Sequence, residues 1–193
     1  MGIYVNPGNA SFQEAINSEI YVDKSGLIAY INGVIRTQQK NLCVSRPRRF
    51  GKSMAANMLA AYYSFAYDSR ELFEGLKIAE DPGFLENLNR YDVIFLNMQQ
   101  FVIRAREQGV TEYLEQAVLE DIGEIYGDLF PKDTTILAEA LERIYAKSGK
   151  QFIFLVDEWD CVMRERQKNE DMQKQYLDFL RNLLKDQPYV ALA

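Results

Sequence analysis

The chain reads as an α/β protein, with three layers in which helices cover both faces of a mostly parallel sheet. Three observations predict this. Apolar runs at Asn41–Ser45, Val93–Leu96 and Phe152–Val156 are continuous rather than alternating, as in strands buried on both faces. Amphipathic helical segments separate these runs, so neighbouring strands are joined by helical crossovers rather than hairpins. The first run also passes through a short Gly-containing loop directly into a segment rich in helix formers, Met54 to Ala61.

The elements follow in order. Ser11-Phe12-Gln13-Glu14 has the capping-box pattern for a short helix, Phe12 to Asn17. Tyr21-Val22 reads as extended. Asp23 is placed to cap a second helix, Lys24 to Ile31, which stops near Asn32-Gly33. After the first core strand, a helix is predicted from Lys52 to Tyr67, with Met54, Met58, Ala61 and Phe65 on its inner side. A short helix follows at Arg70–Phe73, and Asp81-Pro82-Gly83 is a turn signal. The second core strand is Tyr91–Met98. The helix Thr111–Tyr126 buries Tyr113, Leu114, Ala117, Val118, Ile122 and Ile125. Asp133 is predicted to cap the next helix, through Ile136 to Tyr145, with Gly149 as its stop. After the third strand comes a helix over Lys168–Lys185. Tyr189–Ala193 begins a further strand-like run.

Composition sets bounds. The 193 residues suffice for one domain, 1–193, and an apolar content of 48% supports a packed core. With 22 basic and 28 acidic residues, the net charge of −6 argues against a general nucleic-acid-coating surface. No histidine is present, which excludes His-based triads and His-ligated zinc. Cys43 and Cys161 have no metal-like spacing and read as buried free thiols of a reducing compartment. Neither a signal peptide nor a membrane-length apolar run is recognisable, so the expected location is the cytoplasm, with no membrane partner. The 12 Tyr and 11 Phe follow helical and strand periods, as core residues do.

The chemistry concentrates in two places. In Ser45-Arg46-Pro47-Arg48-Arg49-Phe50-Gly51-Lys52-Ser53, a strand, a tight loop and a helix start form a phosphate cradle: backbone N–H groups converge at a helix N-terminus, which adds partial positive charge. Lys52 is placed for the β- and γ-phosphates and the Ser53 hydroxyl for Mg²⁺. The usual pattern G-x-x-x-x-G-K-[ST] puts a glycine where this chain has Arg46. The second place is the end of the Phe152–Val156 strand, at Asp157-Glu158-Trp159-Asp160. Ligands of such sheets sit at the carboxyl ends of strands. Asp157 suits Mg²⁺ held through water, and Glu158 suits polarisation of an attacking water.

Tyr21-Val22-Asp23-Lys24-Ser25, Arg46 to Ser53, Leu72-Phe73-Glu74-Gly75-Leu76-Lys77-Ile78 and Leu155 to Asp160 occur in this order. Together they closely resemble the bacterial and archaeal AAA-ATPase-like family, over nearly the whole chain. The resemblance implies a P-loop NTPase fold, ATP and Mg²⁺ as cofactors, and Arg46, Pro47, Arg48, Arg49, Phe50, Gly51, Lys52 and Ser53 as the nucleotide loop, the Arg at 46 included. It implies Ser53 and Asp157 as metal contacts, and Glu158 and Lys52 as catalytic residues. Family members often carry a C-terminal PD-(D/E)XK nuclease-like domain, so the resemblance also implies a C-terminally truncated domain, with sensor and helical parts, a nuclease-like partner domain or nucleic-acid contact beyond residue 193, and possible oligomers. In ATPases with an adjacent Asp-Glu pair, the next strand in the chain lies between the Asp-Glu strand and the loop strand, which here means Tyr189–Ala193. Trp159 stands where the family pattern has Tyr or Phe.

Several residues keep two readings. Arg48 and Arg49 either neutralise phosphate or pair with solvent and carboxylates. Asn97 either restrains Glu158 or, preferred, caps the strand end. Asp160 orients the site or, preferred, caps the segment after it. Tyr21 and Val22 pack beside adenine or in the core. The expected activity is Mg-ATP binding with hydrolysis; the alternative is a weakly hydrolysing, nucleotide-dependent switch in a DNA-processing protein. A small-molecule kinase is disfavoured, because no Arg-rich lid follows the loop.

Overall fold

A computed structural model describes residues 2–45, 47, 49–105, 109–131, 133–165 and 169–193. Helices α1 (Ala10–Ile16), α2 (Gly26–Asn32), α3 (Lys52–Tyr63), α4 (Arg70–Phe73) and α5 (Phe84–Asn87) come first, with a 3-10 turn at Lys77–Glu80. Strand β1 (Asp92–Asn97) runs directly into α6 (Met98–Ala105), followed by α7 (Val110–Tyr126) and a 3-10 turn at Gly127–Leu129. Then come α8 (Leu137–Ser148), β2 (Phe152–Asp157), α9 (Cys161–Glu165), α10 (Glu170–Leu184) and β3 (Val190–Leu192).

The three strands form a parallel sheet in the order β1-β2-β3, with β1 and β2 in register from Asp92 opposite Phe152 to Asn97 opposite Asp157. Successive side chains of a strand point to opposite faces. Ile94, Leu96, Phe152, Phe154 and Val190 therefore enter one core, shared with α6 to α10. Val93, Ile153, Leu155 and Ala191 enter the other, shared with α1 to α5, and Leu192 joins them where a register shift between Phe152 and Ile153 breaks the alternation of β3. Each fully buried large side chain contributes about 1.5–3 kcal/mol relative to exposure. The continuous apolar runs follow from this geometry: neither face meets water.

Extended backbone borders the sheet on both sides. Residues 4–6 run antiparallel to β1: Asn6 N–H donates to Val93 O (2.7 Å) and Phe95 N–H to Tyr4 O (2.8 Å). The buried Asp121 carboxylate accepts from Tyr4 N (2.6 Å) and Val5 N (3.1 Å), which pins this segment. Beyond β3, Ala193 N–H donates to Lys40 O (3.0 Å) and Leu42 N–H to Ala193 O (2.8 Å). These two bonds bracket Asn41 as a parallel pair does. Tyr189–Ala193 thus reaches β2 on one side and the Asn41 segment on the other, as the Asp-Glu pair predicts.

Five expectations are corrected. Asn41–Ser45 is not a buried core strand. Its backbone pairs with Ala193 around Asn41, while Val44 is 54% exposed and Cys43 is exposed. Helix α3 ends at Tyr63, where Ser64 turns to extended backbone. Its buried residues are Met58 to Tyr63, whereas Met54 and Phe65 are exposed. Two predicted N-caps fail: Ser11 lies within α1, which begins after Asn9, and Asp23 lies ahead of α2, which begins after Ser25, and neither cap residue makes a side-chain capping bond. Asp133 does not cap α8; its carboxylate accepts from Arg143 Nη1 (2.8 Å), and Thr134 Oγ1 accepts from Ile136 N (3.2 Å). The remaining helices lie close to their predicted spans, and Gly149 closes α8 in the left-handed region (φ 69°). Among the described residues no helix is long and apolar enough to cross a membrane.

The two cysteines now differ. Cys161 is fully buried, and burial, helped by the Glu165 carboxylate, pushes its thiol up to about 11 against the pull of Arg164. At pH 8 only about one such thiol in a thousand is ionised, and the thiolate is the reactive form. Cys43 should therefore react with a thiol reagent in the native protein, and Cys161 only after unfolding. Mass spectrometry of labelled protein, with and without denaturant, measures both.

Candidate functional site

The parallel pairing decides where the two motifs meet. Residues 40–42 run parallel to β3, and β3 runs parallel to β2. The chain therefore leaves the Asn41 segment toward the sheet's carboxyl end, where β2 delivers Asp157. Helix α3 starts there and packs against β2 and β1.

Within the loop, Pro47, Arg49 and Phe50 are exposed, while Arg46 and Arg48 lie outside the described residues. Arg49 (φ 67°) and Gly51 (φ 76°) both adopt left-handed backbone, which turns the chain sharply into α3. Gly51 is the residue before the helix, and its carbonyl accepts from Ala55 N (3.0 Å). The first turn of α3 carries no acidic residue, and the helix presents its positive end on this side of the sheet. Lys52 is half-buried and Ser53 exposed. A second lysine arrives from the chain before α2: Lys24 Nζ donates to Phe50 O (2.6 Å).

At the end of β2, Asp157 is 7% exposed. Its Oδ1 accepts from Glu158 N (3.0 Å), and its Oδ2 is buried with no hydrogen-bond partner among the described residues. A buried carboxylate oxygen left unsatisfied is costly unless something fills its place. This fits Mg²⁺, which keeps several waters and binds through one or two carboxylates plus phosphate oxygens. Asp157 and the Ser53 hydroxyl supply a donor set of that kind.

Glu158 takes left-handed backbone (φ 54°) and turns the chain from β2 toward α9. Its carboxylate accepts from Arg164 Nη2, and Arg164 Nε lies 3.1 Å from Asp160 Oδ2, an ion pair poorly aligned for hydrogen bonding. Asp160 therefore pairs with Arg164 rather than capping. Asn97 stands opposite Asp157, not Glu158, and its Oδ1 accepts from Gln100 N (3.3 Å) at the start of α6, so the capping role is the one observed. Tyr21 packs on the core, with its ring 6.3 Å from that of Phe12, whereas Val22 is exposed. Two surface hollows, one beside Phe65 and Arg90 and one between α7 and Ile136, contain none of these residues.

Sequence reasoning passed over Arg164 and Lys24. The only available signal for Arg164 was its i,i+4 spacing from Asp160. For Lys24 nothing local pointed across 26 residues to the loop. A Cβ added to Gly51 would lie 2.5 Å from Lys24 Nζ, at a φ that L residues rarely adopt. Gly51→Ala should therefore destabilise the protein by about 1–2 kcal/mol and displace Lys24 from Phe50. Urea unfolding of both proteins measures this.

The chain was compared with known proteins. A family model described as predicted AAA-ATPase matches residues 7–188. An uncharacterised protein in the vnfD 5′ region of Azotobacter chroococcum mcd 1 is 24% identical over 163 residues, covering 84% of this chain and 30% of that protein. The chain thus spans about a third of the length of this curated relative. No solved structure matches the chain. A loop that turns through a left-handed Gly51 into a helix opening with Lys52 and Ser53, and a strand ending in a buried Asp, agree with the family match over nearly the whole chain, and the protein belongs to the AAA-ATPase-like family of predicted AAA-ATPases.

Proposed function

We propose that this domain binds Mg-ATP at the start of α3 and hydrolyses its γ-phosphate. The observation that carries the reading is the delivery of two features to one end of the sheet: the start of α3, which follows the left-handed Gly51 and bears Lys52 and Ser53, and a buried Asp157 oxygen with no hydrogen-bond partner among the described residues. Lys52 and the N–H groups of the first turn of α3 would offset phosphate charge. The Ser53 hydroxyl and Asp157 would hold Mg²⁺, which when bound neutralises charge developing on the transferred group. Glu158 would orient water and accept its proton. To do so its carboxylate must part from Arg164.

That ion pair favours a second reading, in which the domain retains nucleotide as a switch and turns over slowly until a partner draws Arg164 away. A nuclease-like domain, nucleic acid or a second copy of the chain would be candidates for that partner in a cytoplasmic bacterial protein. Steady-state turnover compared with nucleotide retention separates the two readings.

Lys52→Ala should weaken Mg-ATP binding by about 10- to 100-fold, the range for a lost charged hydrogen bond, while the circular dichroism spectrum is retained. Titration of a fluorescent ATP analogue tests it, and equal affinity would rule out the phosphate-loop assignment. Glu158→Gln keeps an acceptor for Arg164 but loses the base. Binding should persist while hydrolysis drops by roughly two to four orders of magnitude. Phosphate-release assays on both proteins decide this, and an unchanged rate would leave Glu158 a structural carboxylate.

A further inference from the structure

The segment 23–25 is fixed more tightly than its exposed neighbour Val22 suggests. Asp23 Oδ1 accepts from Ser25 N (2.7 Å), and Asp23 Oδ2 accepts from Lys77 N (2.8 Å) at the 3-10 turn. Ser25 is fully buried, and its Oγ accepts from Ile78 N (3.1 Å). Burial alone would raise the Asp23 carboxyl, but the N–H bonds from Lys77 and Ser25 outweigh it and hold the group below its usual range. Asp23 is therefore a charged, strongly accepting anchor at neutral pH. The backbone at Lys24 is held from both sides by the turn that starts at Lys77, and only its side chain is left to reach outward.

That side chain reaches the nucleotide loop. Lys24 Nζ donates to the carbonyl of Phe50 at 2.6 Å and lies against the Cα of Gly51, where a methyl group would meet it at 2.5 Å. The contact falls between the two left-handed residues, Arg49 and Gly51, the point at which the loop turns into α3. An ammonium has three N–H donors, and Phe50 O takes one of them. A short charge-assisted bond of this kind is stronger than a neutral one. It also fixes the orientation of the peptide between Phe50 and Gly51, whose N–H points opposite to the held carbonyl.

We propose that Lys24 is a positioning residue of the nucleotide site: it holds the Phe50 carbonyl so that the Phe50–Gly51 peptide and the first turn of α3 stay in the phosphate-accepting orientation. The Asp23–Lys77 and Ser25–Ile78 bonds serve this role by fixing Lys24 in place. The proposal rests on the nucleotide reading above and names a residue that reading does not include.

The test uses Lys24→Ala and Lys24→Arg in the full chain, with two readouts. Hydrogen–deuterium exchange across residues 51–56, without nucleotide, reports how firmly the loop and first helical turn are held. Titration with a fluorescent analogue of Mg-ATP and of Mg-ADP reports binding. Lys24→Ala should speed exchange in that peptide, leave the rest of the chain unchanged, and weaken both nucleotides by about tenfold, the size of one charged hydrogen bond. Lys24→Arg, which can donate to the same carbonyl, should restore exchange and bring affinity to within about threefold of wild type. Unchanged exchange in Lys24→Ala overturns the proposal. Faster exchange with unchanged affinity also overturns it, reducing Lys24 to a packing contact. Failure of the nucleotide reading looks different: the wild type binds neither nucleotide, and the exchange arm alone then decides whether Lys24 holds the loop.

Discussion

The structure depends on one constraint, the burial of β2 on both faces between two parallel neighbours. Phe152, Ile153, Phe154 and Leu155 are all within the core, alternating between its two halves. A strand in that position cannot carry a polar side chain until it leaves the sheet, because burying an unpaired polar group costs more than the packing returns. The first carboxylate therefore comes at Asp157, where β2 ends. Parallel pairing then requires each crossover to return over one face or the other, and the helices divide accordingly into α1–α5 and α6–α10. The same parallel direction brings the start of α3 to the end of the sheet where Asp157 lies. The position of the site is thus a consequence of how the core is built.

The loop before α3 is bonded by parts of the chain far away in sequence. Its turn uses left-handed backbone at a non-glycine residue, Arg49, and at Gly51. Such conformations persist where surrounding contacts over-determine them. Here the contacts come from residues 23–25, which bond to the loop through Lys24 and to the 3-10 turn at Lys77–Glu80 through Asp23 and Ser25. Two of the sequence motifs that mark the family are thus one physical unit: Asp23-Lys24-Ser25 needs the N–H groups of Lys77 and Ile78 to hold its shape.

Charge at the other half of the site is arranged for restraint. Glu158 and Arg164 are 29% and 30% exposed, and their pair sits beside Asp160. Solvent-exposed pairs contribute about 0.2–1 kcal/mol, and this one stands at or slightly above that range. Separation is therefore within reach of the free energy released when a charged ligand binds. The buried Asp157 oxygen, in contrast, has no hydrogen-bond partner among the described residues. The two adjacent carboxylates differ because one side chain points into the sheet's end and the other, on left-handed backbone, points toward α9.

The sequence by itself determined the α/β alternation, the strands β1 and β2, most helix spans, the Gly-Lys-Ser loop and the Asp-Glu strand end. These are signals carried by a few consecutive residues: continuous apolar runs, helical periods and a glycine that permits a left-handed turn. It misjudged Asn41–Ser45, because a run of apolar β-formers becomes a strand only where another strand accepts its hydrogen bonds, and the bonds seen here run between Lys40, Leu42 and Ala193. It also misplaced the caps at Ser11 and Asp133, since a capping side chain competes with other donors such as Arg143. Only the tertiary structure decided that Lys24 bonds to the loop at Phe50, that Arg164 rather than Asn97 engages Glu158, and that an Asp157 oxygen has no hydrogen-bond partner among the described residues. Each of these depends on which groups meet across the fold, and such distances leave no periodic trace in the order of residues.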